Sequence, residues 1–180
     1  MDYNVHMHIV LYEPDIPGNT GNVGRTCVAT GSTLHLVGRL GFSLDDTHIK
    51  RSGLDYWDKV KVVRHRNWEA FLDQAGPDSS LYFFSKKAAK DFWQASFTPE
   101  SYLIFGCETT GLPGAIHERY EDRLYRIPMA PDSVRSLNLS TSAGVVLYEA
   151  LRQIRTVGAG HCPRPPSNEI SGRHGGLPLR

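Results

Sequence analysis

Three features of this sequence predict an α/β domain, with a parallel sheet and helices on both of its faces. Short apolar or alternating runs of strand length alternate with segments of helical character, the pattern that builds a parallel sheet with crossover helices. Loops rich in glycine and polar residues follow several of the strand-like runs, as they do at the carboxyl edge of open α/β sheets. The chain has 180 residues, 40% hydrophobic and 22% charged, enough for one domain with a real core that needs neither disulfides nor metal.

Strands are expected at residues 8–12, 33–37, 59–63, 81–85, 102–106 and 124–127, and helices at 20–30, 68–74, 86–94, 113–120 and 139–154. The first strand lies in "HMHIVLY", which puts His6 and His8 on one face; no nearby carboxylate or third histidine completes a metal site. "EPDIPGNTGNVGR", residues 13–25, then hands over to the first helix near Asn19, where Asn19 or Thr20 can cap its amino end. Gly21 and Gly24 fall inside that helix, where each costs about 1 kcal/mol relative to alanine, so something must approach it closely. Asn19, Asn22 and Arg25 share one helix face, a polar edge ending in a guanidinium suited to gripping a phosphate or a ribose hydroxyl.

Further along, "LIFGCETTGLP" runs a strand into Gly106, turns through Glu108 and Gly111, and starts a helix with Pro113, a favoured first-turn proline. "RIPMAPDSVRSLNLS" runs a strand into a proline-rich turn and then into Ser136, Asn138 and Ser140, which cap the final helix. In that helix Ala143, Val146, Ala150 and Ile154 form one apolar stripe, and Leu139, Leu147 and Leu151 form another. An outer helix needs only one, so either this helix is central within the chain or a partner covers its second face, with Gly144 allowing a close approach. From Gly158 onward the chain is rich in Gly, Pro and Arg without apolar periodicity, so residues 158–180 read as a flexible tail beyond a domain at 1–157.

Cys27, Cys107 and Cys162 are far apart and form no CxxC pair, which argues against a disulfide framework or a zinc site and for a reducing compartment. No apolar run approaches the roughly 18 residues of a membrane span, and the amino terminus lacks a signal pattern, so a cytoplasmic location is expected. The net charge of +1 falls short of that of a dedicated nucleic-acid binder, so any RNA site must be local. One stretch qualifies: within residues 50–66, Lys50, Arg51, Lys59, Lys61, Arg64 and Arg66 stand against Asp55 and Asp58, a local charge of +4. The same stretch also reads as an ordinary solvated surface.

The first glycine loop is not a dinucleotide fingerprint. That motif needs GxGxxG and an acidic residue ending the next strand, whereas this chain has GxxGxxG and ends its second strand with "HLVGR". A P-loop fails as well, since no Gly-Lys-Ser/Thr follows the first strand. A nucleotide-dependent oxidoreductase is thereby set aside.

Taken together, "IPGNTGNVGR", "FGCETTGLP" and "IPMAPDSVRSLNLSTSAGVVLYEALRQ", with "GFSLDD", "RSGLDYW" and "RH" between them, resemble the motifs of the SPOUT class of RNA methyltransferases over roughly residues 8–155. Within that class they are most similar to the small enzymes that methylate the ribose 2′-hydroxyl of the tRNA wobble nucleotide. The resemblance implies a C-terminal trefoil knot, a homodimer, S-adenosylmethionine as methyl donor, tRNA as substrate and no metal. By position it makes Phe84, Gly106, Ile127, Ser136 and Leu137 cofactor-binding residues. It places Asn19 and Arg25 on the substrate side, with Glu108, Asn138 and Tyr148 completing the site. The second apolar face of the last helix becomes the dimer interface, with Val145 or Leu147 near it. An arginine stays protonated to above pH 12, so Arg25 is assigned to orienting phosphate and hydroxyl rather than to accepting the proton. Two departures stand out: Thr110 replaces an arginine common in the class, and Val134 is a one-residue insertion in "PDSVRSLN". Methylation of another tRNA position or of ribosomal RNA, or a non-catalytic RNA-binding role of the same fold, are the competing readings.

Overall fold

The structure is a computed structural model and describes residues 6–43 and 56–158. Its centre is a seven-stranded sheet in the order β3-β2-β1-β6-β4-β7-β5, with every pairing parallel. The strands are β1 (His8–Tyr12), β2 (Thr33–Val37), β3 (Val62–His65), β4 (Leu81–Phe84), β5 (Lys90–Asp91), β6 (Tyr102–Phe105) and β7 (Leu124–Arg126). The helices are α1 (Pro17–Thr30), α2 (Trp68–Ala75), α3 (Gly114–Arg119) and α4 (Leu139–Gly158). One sheet face packs Ile9, Leu11, Leu34, Leu36 and Phe105 against Val23 and Cys27 of α1 and Ala143 and Val146 of α4. The other packs Val10, Phe83 and Ile104 against Trp68 and Phe71 of α2 and Ile116 of α3. Helices therefore cover both faces, as expected. Burial also pushes the Cys27 thiol up to about 12, which keeps it an inert core residue.

Three local expectations need correction. Residues 86–94 are not a helix but a turn, the short strand β5 and a 3-10 turn, Phe92–Gln94. Ala88 is buried on one sheet face and Phe92 on the other, so the segment crosses the sheet edge, which a helix with one buried stripe cannot do. The strand placed at 59–63 starts at Val62, because the chain is still in the 3-10 turn Trp57–Lys59 that packs on α1. Helix α1 begins at Pro17, whose fixed φ suits the first helical position; Ile16 is the N-cap, so neither Asn19 nor Thr20 caps it.

Helix α4 corrects the reading of its second stripe. Leu147 and Leu151 are buried in the same core as Ala143, Val146 and Ala150, because α4 is wedged against both β6 and α1. Both stripes thus have partners within the chain, and Leu147 is no surface residue. The large hydrophobic side chains that α4 leaves exposed are Val145 and Tyr148, and a Cβ built at Gly144 would meet nothing within 4 Å. The helix runs to Gly158; the rest of the predicted tail, with Cys162, lies outside the described residues, as do half of "GFSLDD", most of "RSGLDYW", Lys50, Arg51 and Asp55.

Between the sheet and α2 lies a histidine ladder that strand periodicity hinted at only for its first members. His8 Nδ1 meets His35 Nε2 at 2.9 Å, His35 Nδ1 meets His65 Nε2 at 2.9 Å, and Tyr102 stacks on His8 at 4.2 Å. Each ring-to-ring bond needs one N–H and one lone pair, which neutral imidazoles supply. Burial lowers His8 and His65 and drives His35 down to about 3. The neutral ladder therefore adds stability that is complete above the unfolded pKa of about 6.5 and is lost as pH falls towards 3. By pH 5, His35 alone should cost the fold about 2 kcal/mol, read as a lower urea midpoint than at pH 7. The depressed carboxylates Asp15 and Glu149 act below about pH 4.5, so the window from 6.5 to 5 belongs to the histidines. An unchanged midpoint across that window would refute the neutral ladder.

Candidate functional site

Because every strand is parallel, the loops that leave β1, β4, β6 and β7 emerge along one edge of the sheet, and there they enclose a cleft of about 530 Å³. Its size suits a cofactor-sized ligand. Phe84 and Phe105, the last residues of adjacent β4 and β6, stack at 4.9 Å and form an apolar wall. Gly106 follows immediately. A Cβ there would lie 2.2 Å from the carbonyl carbon of Gly111 and 2.3 Å from the nitrogen of Leu112, so no other residue fits without moving backbone. Ile127, Ser136 and Leu137 line the opposite side from the loop after β7. All five residues expected on the cofactor side thus share one cleft.

Asn19, Glu108 and Asn138 line the same cleft and are bonded to one another. The Glu108 carboxylate accepts from the backbone N–H of Asp15 at 2.9 Å, that of Ile16 at 3.3 Å, and the Asn19 amide at 2.9 Å. Asn19 Oδ1 in turn accepts from the Asn138 amide at 2.9 Å. Asn138 Oδ1 caps α4, accepting from the Ser140 N–H at 2.9 Å and its hydroxyl at 2.7 Å. The polarity of the chain is therefore set end to end, from a carboxylate at the amino end of α1, where the helix dipole favours an anion, to the first turn of α4. A second strap lies beside it: Asp15 Oδ2 accepts from the Cys107 thiol and the Thr109 hydroxyl, both at 2.9 Å, and these bonds, the thiol's first, hold the Asp15 carboxyl below its usual range. Three loops distant in sequence are thereby locked into one rim.

Two of the expected residues are not in this cleft. Arg25 is exposed on α1, two turns from its start, with its guanidinium 4.7 Å above the ring of Tyr56. The Tyr56 hydroxyl donates to the Gly21 carbonyl at 3.1 Å, and the Trp57 ring would lie 2.8 Å from a Cβ at Gly24. The close neighbour that the α1 glycines called for is this Tyr56–Trp57 pair. The single polar edge expected on α1 is divided: Asn19 is buried in the rim, while Asn22 and Arg25 face outward. Tyr148 is 58% exposed on the outer face of α4 and does not line the cleft of its own chain.

Sequence reasoning missed Asp15, Tyr56 and, at the cleft, the cations Lys86, Lys87 and Arg135 with His117 beside them. Burial, followed by the charge of Lys87, lowers His117. The signal for Asp15 was its place one residue before the N-cap; nothing local marks Tyr56. Of the two departures, Thr110 is exposed at the cleft, leaving these cations as its local positive charge, and Val134 points outward at 62% exposure, so the insertion bulges to solvent. Among the described residues no group of three or more His, Cys, Asp or Glu is placed to hold a metal ion, and no helix is long and apolar enough to cross a membrane.

Comparison with known proteins places this geometry in context. The sequence model of the SpoU rRNA methylase family matches residues 6–148. The tRNA (cytidine(34)-2′-O)-methyltransferase of Saccharophagus degradans is 48% identical over 153 residues, which cover 84% of this chain and 98% of that protein. A solved structure presented as "Structural insights into the 2-OH methylation of C/U34 on tRNA" superposes with a TM-score of 0.78 at 43% identity, covering 83% of this chain and 96% of the other. The SpoU methyltransferase AviRb of Streptomyces viridochromogenes, solved with AdoMet, superposes with a TM-score of 0.70 at 29% identity over 81% of this chain and 59% of its own.

Proposed function

Since the chain belongs to the SpoU rRNA methylase family, we propose that it is a tRNA methyltransferase that moves a methyl group from S-adenosylmethionine to the ribose 2′-hydroxyl of the wobble nucleotide, cytidine or a modified uridine. The observation that carries this reading is the Asn19–Glu108–Asn138 rim closing over a cleft whose wall is Phe84 and Phe105 and whose floor tolerates only glycine at 106. The residues fit the cofactor: Phe84 and Phe105 give an apolar wall for a flat base, and Gly106, Ile127, Ser136 and Leu137 line the same cleft. When bound, S-adenosylmethionine supplies a methyl group made electrophilic by its sulfonium.

The chain's own residues then have separable tasks. Glu108 holds the rim together, since its oxygens already accept from three N–H groups. Asn19 and Asn138 face the cleft from a fixed orientation, ready to position the ribose. Arg25 grips phosphate and orients the hydroxyl through its planar fork of donors. The catalytic unit is residues 1–157, acting in the cytoplasm, where its tRNA substrate is.

The carboxyl-terminal part forms a trefoil knot in this reading, supported by the likeness of the second and third motifs to the class and by their shared lining of the cleft. The chain works as a homodimer whose contact is the face of α4 bearing Gly144, Val145 and Tyr148, supported by the exposure of the last two. There Tyr148 meets the partner rather than its own cleft. Val145→Glu should sediment as a monomer, because an unpaired carboxylate in an interface weakens association by about 100-fold or more. Sedimentation identical to the wild type would remove this face from the interface.

The function itself is tested by mass spectrometry of tRNA nucleosides from cells with and without the protein. Loss of 2′-O-methylcytidine and 2′-O-methyluridine at the wobble position is expected. Wobble methylation that persists without the protein, together with no transfer by the purified protein, would overturn the assignment.

A further inference from the structure

The edge of the sheet furthest from β5 carries charges that the reaction above does not use. Lys59, Lys61, Arg64 and Arg66 are all exposed, and among the described residues 56–66 only Asp58 opposes them. None of the four takes part in an ion pair among the described residues, whereas Arg126 pairs with Asp91 at 2.7 Å and Arg152 with Glu149 at 2.8 Å elsewhere on the surface. They sit on the edge strand β3 and its flanks. Strand alternation puts Arg64 on the side of Val62, the face covered by α1, while His65 is buried on the opposite face beneath Phe71. The 3-10 turn that begins the stretch also carries the Trp57 ring onto α1, next to the Tyr56 that stacks under Arg25.

We propose that this edge, formed by Lys59, Lys61, Arg64 and Arg66 and beginning beside the Arg25–Tyr56 stack, is a docking surface for the sugar-phosphate backbone of the tRNA outside the nucleotide that reacts. The proposal rests on the reading of the chain as a tRNA methyltransferase. Strands β3 and β6 are three spacings apart, about 14 Å, so the stripe lies beyond reach of the reacting ribose and within reach of neighbouring phosphates. Unpaired arginine forks and lysine ammoniums are suited to phosphate, and with a net charge of only +1 the attraction has to be local. The competing explanation is that charged side chains on an edge strand merely prevent sheet-to-sheet aggregation.

The two are separated with the variant Lys59→Gln/Lys61→Gln/Arg64→Gln/Arg66→Gln in the full chain. Affinity for whole tRNA should fall by about 10–100-fold at moderate salt, and the slope of log affinity against log salt should flatten by about 0.7–0.9 for each phosphate no longer neutralised. KM for tRNA should rise, while kcat at saturating tRNA and affinity for S-adenosylmethionine stay within about twofold, which also reports an intact fold. Arg64→Gln/Arg66→Gln should weaken tRNA binding more than Arg119→Gln/Arg123→Gln, which removes the same charge elsewhere. Unchanged tRNA affinity in the fourfold variant, equal weakening in the two double variants, or a fall in kcat with KM unchanged would each overturn the proposal. A wild-type protein that binds but never methylates tRNA would instead fault the function on which it rests.

Discussion

Arg25→Ala is expected to lose single-turnover methylation of tRNA by at least about 100-fold while its affinity for S-adenosylmethionine barely changes. Misplacing reacting atoms by about 1 Å costs on that order, and Arg25 is the one assigned cation that lies outside the cofactor cleft on a rigid helix. Its guanidinium is pre-oriented over the Tyr56 ring at 4.7 Å, and Tyr56 is anchored by its own hydroxyl on the carbonyl of Gly21, one turn earlier in α1. Arg25→Lys keeps the charge and loses the planar fork, so it should regain part of the tRNA affinity and little of the rate. Titrations of cofactor alongside the single-turnover rates decide the matter. If Arg25→Ala instead lost cofactor binding and kept its rate per bound cofactor, the division of labour between α1 and the cleft would be wrong.

Gly106→Ala should be nearly as damaging, through the cofactor. The added methyl would sit 2.2 Å from the Gly111 carbonyl carbon, and backbone rather than a flexible side chain would have to move. Gly111 is itself held at φ +73 in the turn closed by its N–H on the Cys107 carbonyl at 2.8 Å. Displacing it opens the loop that carries Glu108, and with it the bonds to Asp15, Ile16 and Asn19. Overpacking of this kind costs about 1–3 kcal/mol, so cofactor affinity should fall by about 5- to 150-fold. Gly114→Ala, where a methyl would meet nothing within 4 Å, is the control and should bind as the wild type does. Calorimetry on the two variants suffices; equal affinities would show that Gly106 is not the cradle.

Much of this architecture is legible in the sequence. Strands β1 and β2 fall on the expected residues because each is a short, largely apolar run, HIVLY and TLHLV, that a parallel sheet buries on both faces. The three glycine and polar loops announce a site at the carboxyl edge, since turn and capping residues are short-range signals. Positions are less secure wherever a distant contact sets the local conformation. Residues 86–94 have helical composition, yet they cross from one core to the other, and Trp57 delays β3 by lying on Gly24.

By itself the sequence determined the α/β class, the likeness of its three loops to one family of methyltransferases, and the close neighbour that Gly24 admits on α1. Periodicity and turn chemistry act over a few residues, so they survive in a string of letters. Only the tertiary structure decided that Glu108 clamps the loop before α1 to the cleft, that Leu147 belongs to the core of its own chain, and that Arg25 rests on Tyr56. It alone joined His8, His35 and His65 into one ladder. Each of these depends on pairs 27 to 93 residues apart or on which side of a helix meets a neighbour, and the free energy of such contacts exists only once the chain has closed them.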